Sequence, residues 1–162
     1  MVPGIIDRLF GRKMPVVQKL IEDLGDKGKR VRAARILSEV GEPAIPVLIE
    51  TLGDTNKQAW VGLALIDMVK HSHAKPMDII PSLIEALGDK NKQAMAAALL
   101  KQREFSHAAI EPLVRASSEF FASSDKKIYA HLALKGISED VFQEQNTREA
   151  ASNALKQIKA RL

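Results

Sequence analysis

His71-Ser72-His73 is the segment of this chain whose residue types come nearest to chemistry. Two imidazoles two residues apart offer ring nitrogens of the kind that hold transition metals. No cysteine or carboxylate stands beside them in a ligand-spaced run, so the pair reads as loop histidines without a ligand role. His107 and His131 are isolated. Glu22, Glu50 and Glu85 recur at one position of a repeated unit, which marks a solvated or ladder-forming face and not an acid–base pair. No phosphate loop, nucleophile elbow or zinc-protease motif is present. The 162 residues include no cysteine, which removes disulfides, thiolate zinc sites and cysteine nucleophiles and suits a reducing compartment. The expectation is a non-enzymatic protein with no metal or other cofactor.

Charge is the next candidate for function. Lys27, Lys29 and Arg30, then Lys57, then Lys90 and Lys92, then Lys126 and Lys127 fall in successive turns, against Asp26, Asp54, Asp89 and Asp125. Stacked units would set these turns about 10 Å apart along one edge. Such an edge suits an acidic protein or a nucleic-acid backbone. It equally suits solubility, and no aromatic residue is interleaved with it for base stacking. The net charge of +4 is uneven: residues 1–42 carry nine basic and six acidic groups, and residues 146–162 carry four and one. Basic ends around a near-neutral middle do not describe a dedicated DNA-binding protein.

The elements that position these residues are visible as a repeat. Residues 48–59, Leu-Ile-Glu-Thr-Leu-Gly-Asp-Thr-Asn-Lys-Gln-Ala, return at 83–94 with ten of twelve positions identical, and Leu20 to Asp26 is an earlier copy. Self-similarity at this period signals stacked supersecondary units. Within one unit, Pro43 and Pro46 suit a helix start. Ile45, Leu48, Ile49 and Leu52 form one apolar stripe. Gly53 is expected to stop the helix with positive φ, as are Gly25 and Gly88. Asp54 is expected to cap the next helix, which runs through Ala59, Gly62, Leu63, Leu65, Ile66 and Val69. A short turn makes the two helices antiparallel. Val16, Val17, Leu20, Ile21 and Leu24 pair with Val31, Ala34, Leu37 and Val40; Ile80, Leu83, Ile84 and Leu87 pair with Ala94, Ala97, Ala98 and Leu100. A fourth pair begins at Ile110, runs through Phe120 and Phe121 to Ser124, and continues from Asp125 through Ala130, Ala133 and Leu134. A last helix opens at Asn146, with Glu149 at capping-box spacing.

These residues resemble the HEAT-repeat family, most closely its short, phycobilisome-lyase-like form. The likeness is carried by the apolar helix ending Leu-Gly-Asp, by Val31-Arg32-Ala33-Ala34, and by Gly41-Glu42-Pro43-Ala44-Ile45-Pro46 leading into the next copy, and spans roughly residues 14–137. It implies an all-α fold, an α-solenoid of about four stacked antiparallel helix pairs with terminal capping helices. The expected organisation is one domain over 1–162: a cap at 1–13 bearing Ile5, Ile6, Leu9 and Phe10, repeats at 14–42, 43–73, 74–106 and 107–137, and a cap at 138–162. The resemblance also implies that an arginine early in the second helix bonds a turn aspartate. Arg32 fits, and its equivalents by counting are Trp60, Met95 and His131. Second helices of such folds line a concave face, so Trp60 could anchor a partner there or pack between repeats; Tyr129 and His131 extend either reading. One HEAT-repeat enzyme family binds iron through His-Glu dipeptides, and this chain has none.

The function so implied is a cytoplasmic scaffold that binds another protein on its second-helix face and its lysine-rich turn edge, with no membrane insertion. Nucleic-acid binding through the basic edge is the alternative. Chromophore or tetrapyrrole handling is a third, by analogy with the lyase-like relatives.

Overall fold

A computed structural model describes residues 14–118 and 122–160. Among them are nine α-helices: α1 (Met14–Asp23), α2 (Arg30–Val40), α3 (Ile45–Thr51), α4 (Gln58–Lys70), α5 (Pro76–Ala86), α6 (Gln93–Leu100), α7 (Arg103–Ser118), α8 (Ser124–Glu139) and α9 (Gln145–Ala160). A 3-10 segment, Glu42–Ala44, precedes α3, and the described residues contain no strand. The all-α expectation holds. The expected cap of residues 1–13, Phe120, Phe121, Arg161 and Leu162 lie outside the described residues.

The chain forms two compact units, Met1–Ala74 and Lys75–Leu162. In the first, α1 pairs with α2 and α3 with α4, while α1 packs on α3 and α2 on α4. That is two antiparallel pairs stacked in register. Their shared core is aliphatic: Leu24, Leu37, Leu48, Leu52, Leu65 and Met68 are fully buried. In the second unit, α5 packs on α6 and α7, α6 on α8, and α7 on α8. Helix α9 lies against both α7 and α8. Phe105 is buried at the start of α7, among a core that includes Leu83, Leu87, Leu100 and Leu113.

The turns correct the glycine expectation. Among the described glycines only Gly41 has positive φ, at 73°. Gly25, Gly53 and Gly88 do not use the left-handed conformation. The helices end instead in tightened 3-10 turns: Gly25 N donates to Glu22 O, Asp54 N to Thr51 O, and Gly88 N to Glu85 O. The turn aspartates do not cap helices either. Asp26, Asp54 and Asp89 each turn a carboxylate back to the backbone N–H two residues on, at Gly28, Asn56 and Asn91, over 2.8–2.9 Å. This is an Asx-turn, which competes with capping for the same oxygen. The helix-starting lysines Lys29, Lys57 and Lys92 have no side-chain cap at all.

Three further boundaries differ from expectation. Helix α7 begins at Arg103 and not near Ile110, because buried Ser106 bonds Gln143 Oε1 at 2.7 Å and so reads falsely as a surface residue. Helix α8 is capped by Ser123, whose Oγ accepts from Lys126 N, so Asp125 lies within the first turn. Helix α9 opens at Gln145, placing Asn146 inside it; Glu149 accepts from Gln145 Nε2 at 2.8 Å and closes no capping box.

Candidate functional site

A crevice of about 550 Å3 runs between the second helices α2 and α4. From α2 it is lined by Val31, Ala34, Arg35, Ser38 and Glu39; from α4 and the turn after it by Trp60, Leu63, Asp67, His71 and His73. Val31 and Leu63 are 65% and 47% exposed and supply apolar walls, so Val31 is not the core residue its spacing implied. Trp60 is half-buried on the wall facing α2. The Arg30 guanidinium carbon lies 5.6 Å from its ring centroid, and Arg30 Nε is buried without a hydrogen-bond partner. The electron-rich ring face therefore stands where a polar acceptor would be needed.

His71 and His73 also line the crevice. His73 Nδ1 donates to Ser38 O and His71 Nδ1 to Asp67 O, both over 2.9 Å, and the rings stack at 6.0 Å. Because a carbonyl only accepts, each Nδ1 carries its proton and each Nε2 is the basic nitrogen. The His73 carbonyl sits against Gly41, where a Cβ would be 2.6 Å away. Among the described residues no group of three or more histidines and carboxylates could hold a metal ion.

Three of the turn lysines are tied to their own turns. Lys57 Nζ lies 3.0 Å from Asp54, Lys92 Nζ 3.4 Å from Asp89, and Lys29 Nζ 3.5 Å from Asp26 and 3.7 Å from Asp23. Lys126 Nζ bonds Glu85 at 2.7 Å, with its stem buried. The aspartate carboxyls are held below their ordinary value of 3.8 in consequence. For Asp54 the first cause is the Lys57 ammonium; for Asp26 and Asp89 it is the backbone N–H of Gly28 and Asn91, with the lysine second among the lowering contacts.

One stretch of this architecture, residues 29–54, matches the family model described as PBS lyase HEAT-like repeat. The chain carries a HEAT-like repeat. The match takes in α2, the 3-10 segment, α3 and the turn down to Asp54, so the HEAT-like repeat supplies the α2 wall of the crevice. No curated protein matches the chain.

Arg32 does not make the arginine–aspartate bond expected of such a repeat. It makes no ion pair among the described residues, and lines a second, smaller cleft with Val16, Lys19, Leu20, Asp23, Lys29, Ala33 and Ile36. The lysine three residues after each turn aspartate has taken over that pairing. Arg32 and Trp60 share a repeat position by counting, but Trp60 lines the crevice with α2 and Arg32 the smaller cleft beside α1.

In the second unit, Met95 and Tyr129 are half-buried and His131 is exposed. Lys27 and Lys90 are exposed and Lys127 is intermediate. Sequence reasoning missed Val31 and Leu63 as binding surface. The signal was the excess of Trp60, Val61, Leu63, Leu65, Ile66, Met68 and Val69 on α4, more apolar residues than one buried stripe needs.

Proposed function

We propose that this protein is a non-enzymatic scaffold that binds another protein in the crevice between α2 and α4, with Trp60 as the central anchor. The observation that carries this reading is the exposure of Val31 and Leu63 on either side of a half-buried Trp60. Tryptophan set in a pocket is the residue type that most often dominates interface affinity. Arg35, Glu39 and Asp67 edge the crevice with both signs of charge, which suits a rim that orients a partner.

The nucleic-acid alternative rests on the turn lysines. The ion pairs at Lys29, Lys57, Lys92 and Lys126 spend those cations on protein carboxylates, which favours the crevice over the edge. Capture from the native host, repeated at about 50 and about 200 mM salt, separates the two readings. A crevice-bound protein survives the higher salt and is lost with Trp60→Ala. A nucleic acid is released by the salt and indifferent to Trp60.

A further inference from the structure

The turn between α8 and α9 carries the most exposed large apolar residues described in the chain. Phe142 is 88% exposed and Val141 73%. Their turn is fixed from beneath. Phe142 N donates to Asp140 Oδ1 at 2.9 Å, and Gln143 N to Asp140 O at 3.1 Å. The Gln143 side chain is buried: its Nε2 donates to Lys101 O at 2.8 Å and its Oε1 accepts from Ser106 Oγ. A buried glutamine with both ends bonded holds two apolar side chains out into water. Such preorganisation lowers the ordering cost of binding.

The charge around this knob is one-sided. Residues 139–144 contain Glu139, Asp140 and Glu144 and no cation. The bridges to Glu139 from Lys135 (3.8 Å) and to Glu144 from Arg103 (3.5 Å) are long and exposed, and neutralise little. The matching receptor is an apolar cleft edged by cations. The cleft between α1 and α2 has that chemistry: Val16, Leu20, Ala33 and Ile36 line about 330 Å3, edged by Lys19 and Arg32, while Lys29 and the one lining carboxylate, Asp23, are paired with each other. Lys19 and Arg32 make no ion pair among the described residues. The Trp60 crevice fits this knob less well, because its edge carries Glu39 and Asp67.

We propose that the Val141–Phe142 turn of one molecule docks into the α1–α2 cleft of a second copy of this chain. The contact is heterologous: knob and cleft are different surfaces, so each molecule offers one of each. It is independent of what the Trp60 crevice binds. The buried area is small, so the affinity is modest and association shows only at high concentration.

Sedimentation velocity of the full chain, over a hundredfold range ending near about 1 mM, tests this. The wild type is expected to associate with rising concentration. Phe142→Asp and Val16→Asp are each expected to stay monomeric, with unchanged circular dichroism because both sites are exposed. An equimolar mixture of the two variants is expected to recover association, but only to dimers, since one intact knob meets one intact cleft. Arg32→Glu is expected to weaken association, and Glu144→Arg added to it to restore it. A wild type that is monomeric throughout overturns the proposal. So does a mixture that fails to recover, or Phe142→Asp monomeric while Val16→Asp still associates, which would mean symmetric knob-to-knob pairing. Phe142-dependent sedimentation with phosphatidylcholine vesicles by a protein that stays monomeric would likewise overturn it in favour of a lipid surface.

Discussion

Lys57 lies across Gly25: a Cβ on Gly25 would sit 3.5 Å from Lys57 Cε, while Lys57 Nζ holds Asp54 at 3.0 Å. One side chain closes its own turn and covers the bare backbone of the turn before it. Lys126 likewise covers the turn before it in the second unit, but its ammonium reaches back to a carboxylate of α5 and not to its own turn. Its Cβ lies 3.9 Å from where a Gly88 Cβ would be, and its Nζ bonds Glu85. Lysines that read as a basic edge are thus part of how successive turns pack, with aliphatic stems over glycine and ammonium groups on carboxylates.

The glycines therefore divide by cause. Gly41 combines φ 73° and ψ −145° with a Cβ position 2.6 Å from the His73 carbonyl oxygen. Gly41→Ala is expected to cost about 3 kcal/mol, since that backbone region is closed to other residues. At Gly88 the nearest atoms to a Cβ are at 3.5 Å and φ is not positive. Gly88→Ala is expected to be neutral, or stabilising by about 0.5 kcal/mol through the unfolded chain. Urea denaturation of both variants checks this; equal costs would contradict the assignment.

Lys126 is the cation whose loss is expected to matter most among the turn lysines. Its side chain is nearly buried and its ammonium sits 2.7 Å from Glu85. Lys126→Ala removes both the stem and the charge and is expected to cost about 2 kcal/mol. Lys126→Met keeps the stem and is expected to recover about half of that. Lys90→Ala, at an exposed position, is expected to change stability by less than about 0.5 kcal/mol. Thermal melts of the three rank them directly.

The turn carboxylates set an acid limit. Asp26, Asp54 and Asp89 have folded values below the ordinary 3.8, so each stabilises the fold above that pH. That contribution is lost as pH falls through the lowered values. The contribution of these three carboxylates is expected to be constant through neutrality and to decline only below about pH 4. The double variant Asp54→Asn, Asp89→Asn is expected to be less stable at pH 7 and to lose less on acidification. Chemical denaturation midpoints at pH 7 and about pH 3 give both slopes.

Much of the helical architecture was legible because it is written in apolar spacing and in a repeat, and both survive translation into packing. Leu48 and Leu52, or Leu83 and Leu87, are buried as their stripe requires. The turn chemistry was not legible, because Gly-Asp reads equally as a left-handed stop with a cap and as a 3-10 turn closed by an Asx bond. The choice falls to Lys57 and Lys92, whose ammonium groups hold the aspartates in place. Position alone put Arg32 and Trp60 in one row, but not what each lines: Trp60 the crevice between α2 and α4, Arg32 the cleft beside α1. Phe142 was invisible for a different reason: Val141-Phe142 belongs to no stripe, and an isolated apolar pair between Asp140 and Gln143 carries no helical period.

The central claim, that the α2–α4 crevice is the partner site, is most directly tested through Trp60, the single tryptophan of the chain. Its fluorescence reports the crevice without a label. Titrating the salt-resistant partner captured from the host is expected to shift Trp60 emission to the blue as the half-exposed ring loses water. The partner's affinity is expected to fall by about 2 kcal/mol or more, roughly thirtyfold, in Trp60→Ala, with the helical circular dichroism retained. Unchanged emission and unchanged affinity in a folded Trp60→Ala variant would contradict the account.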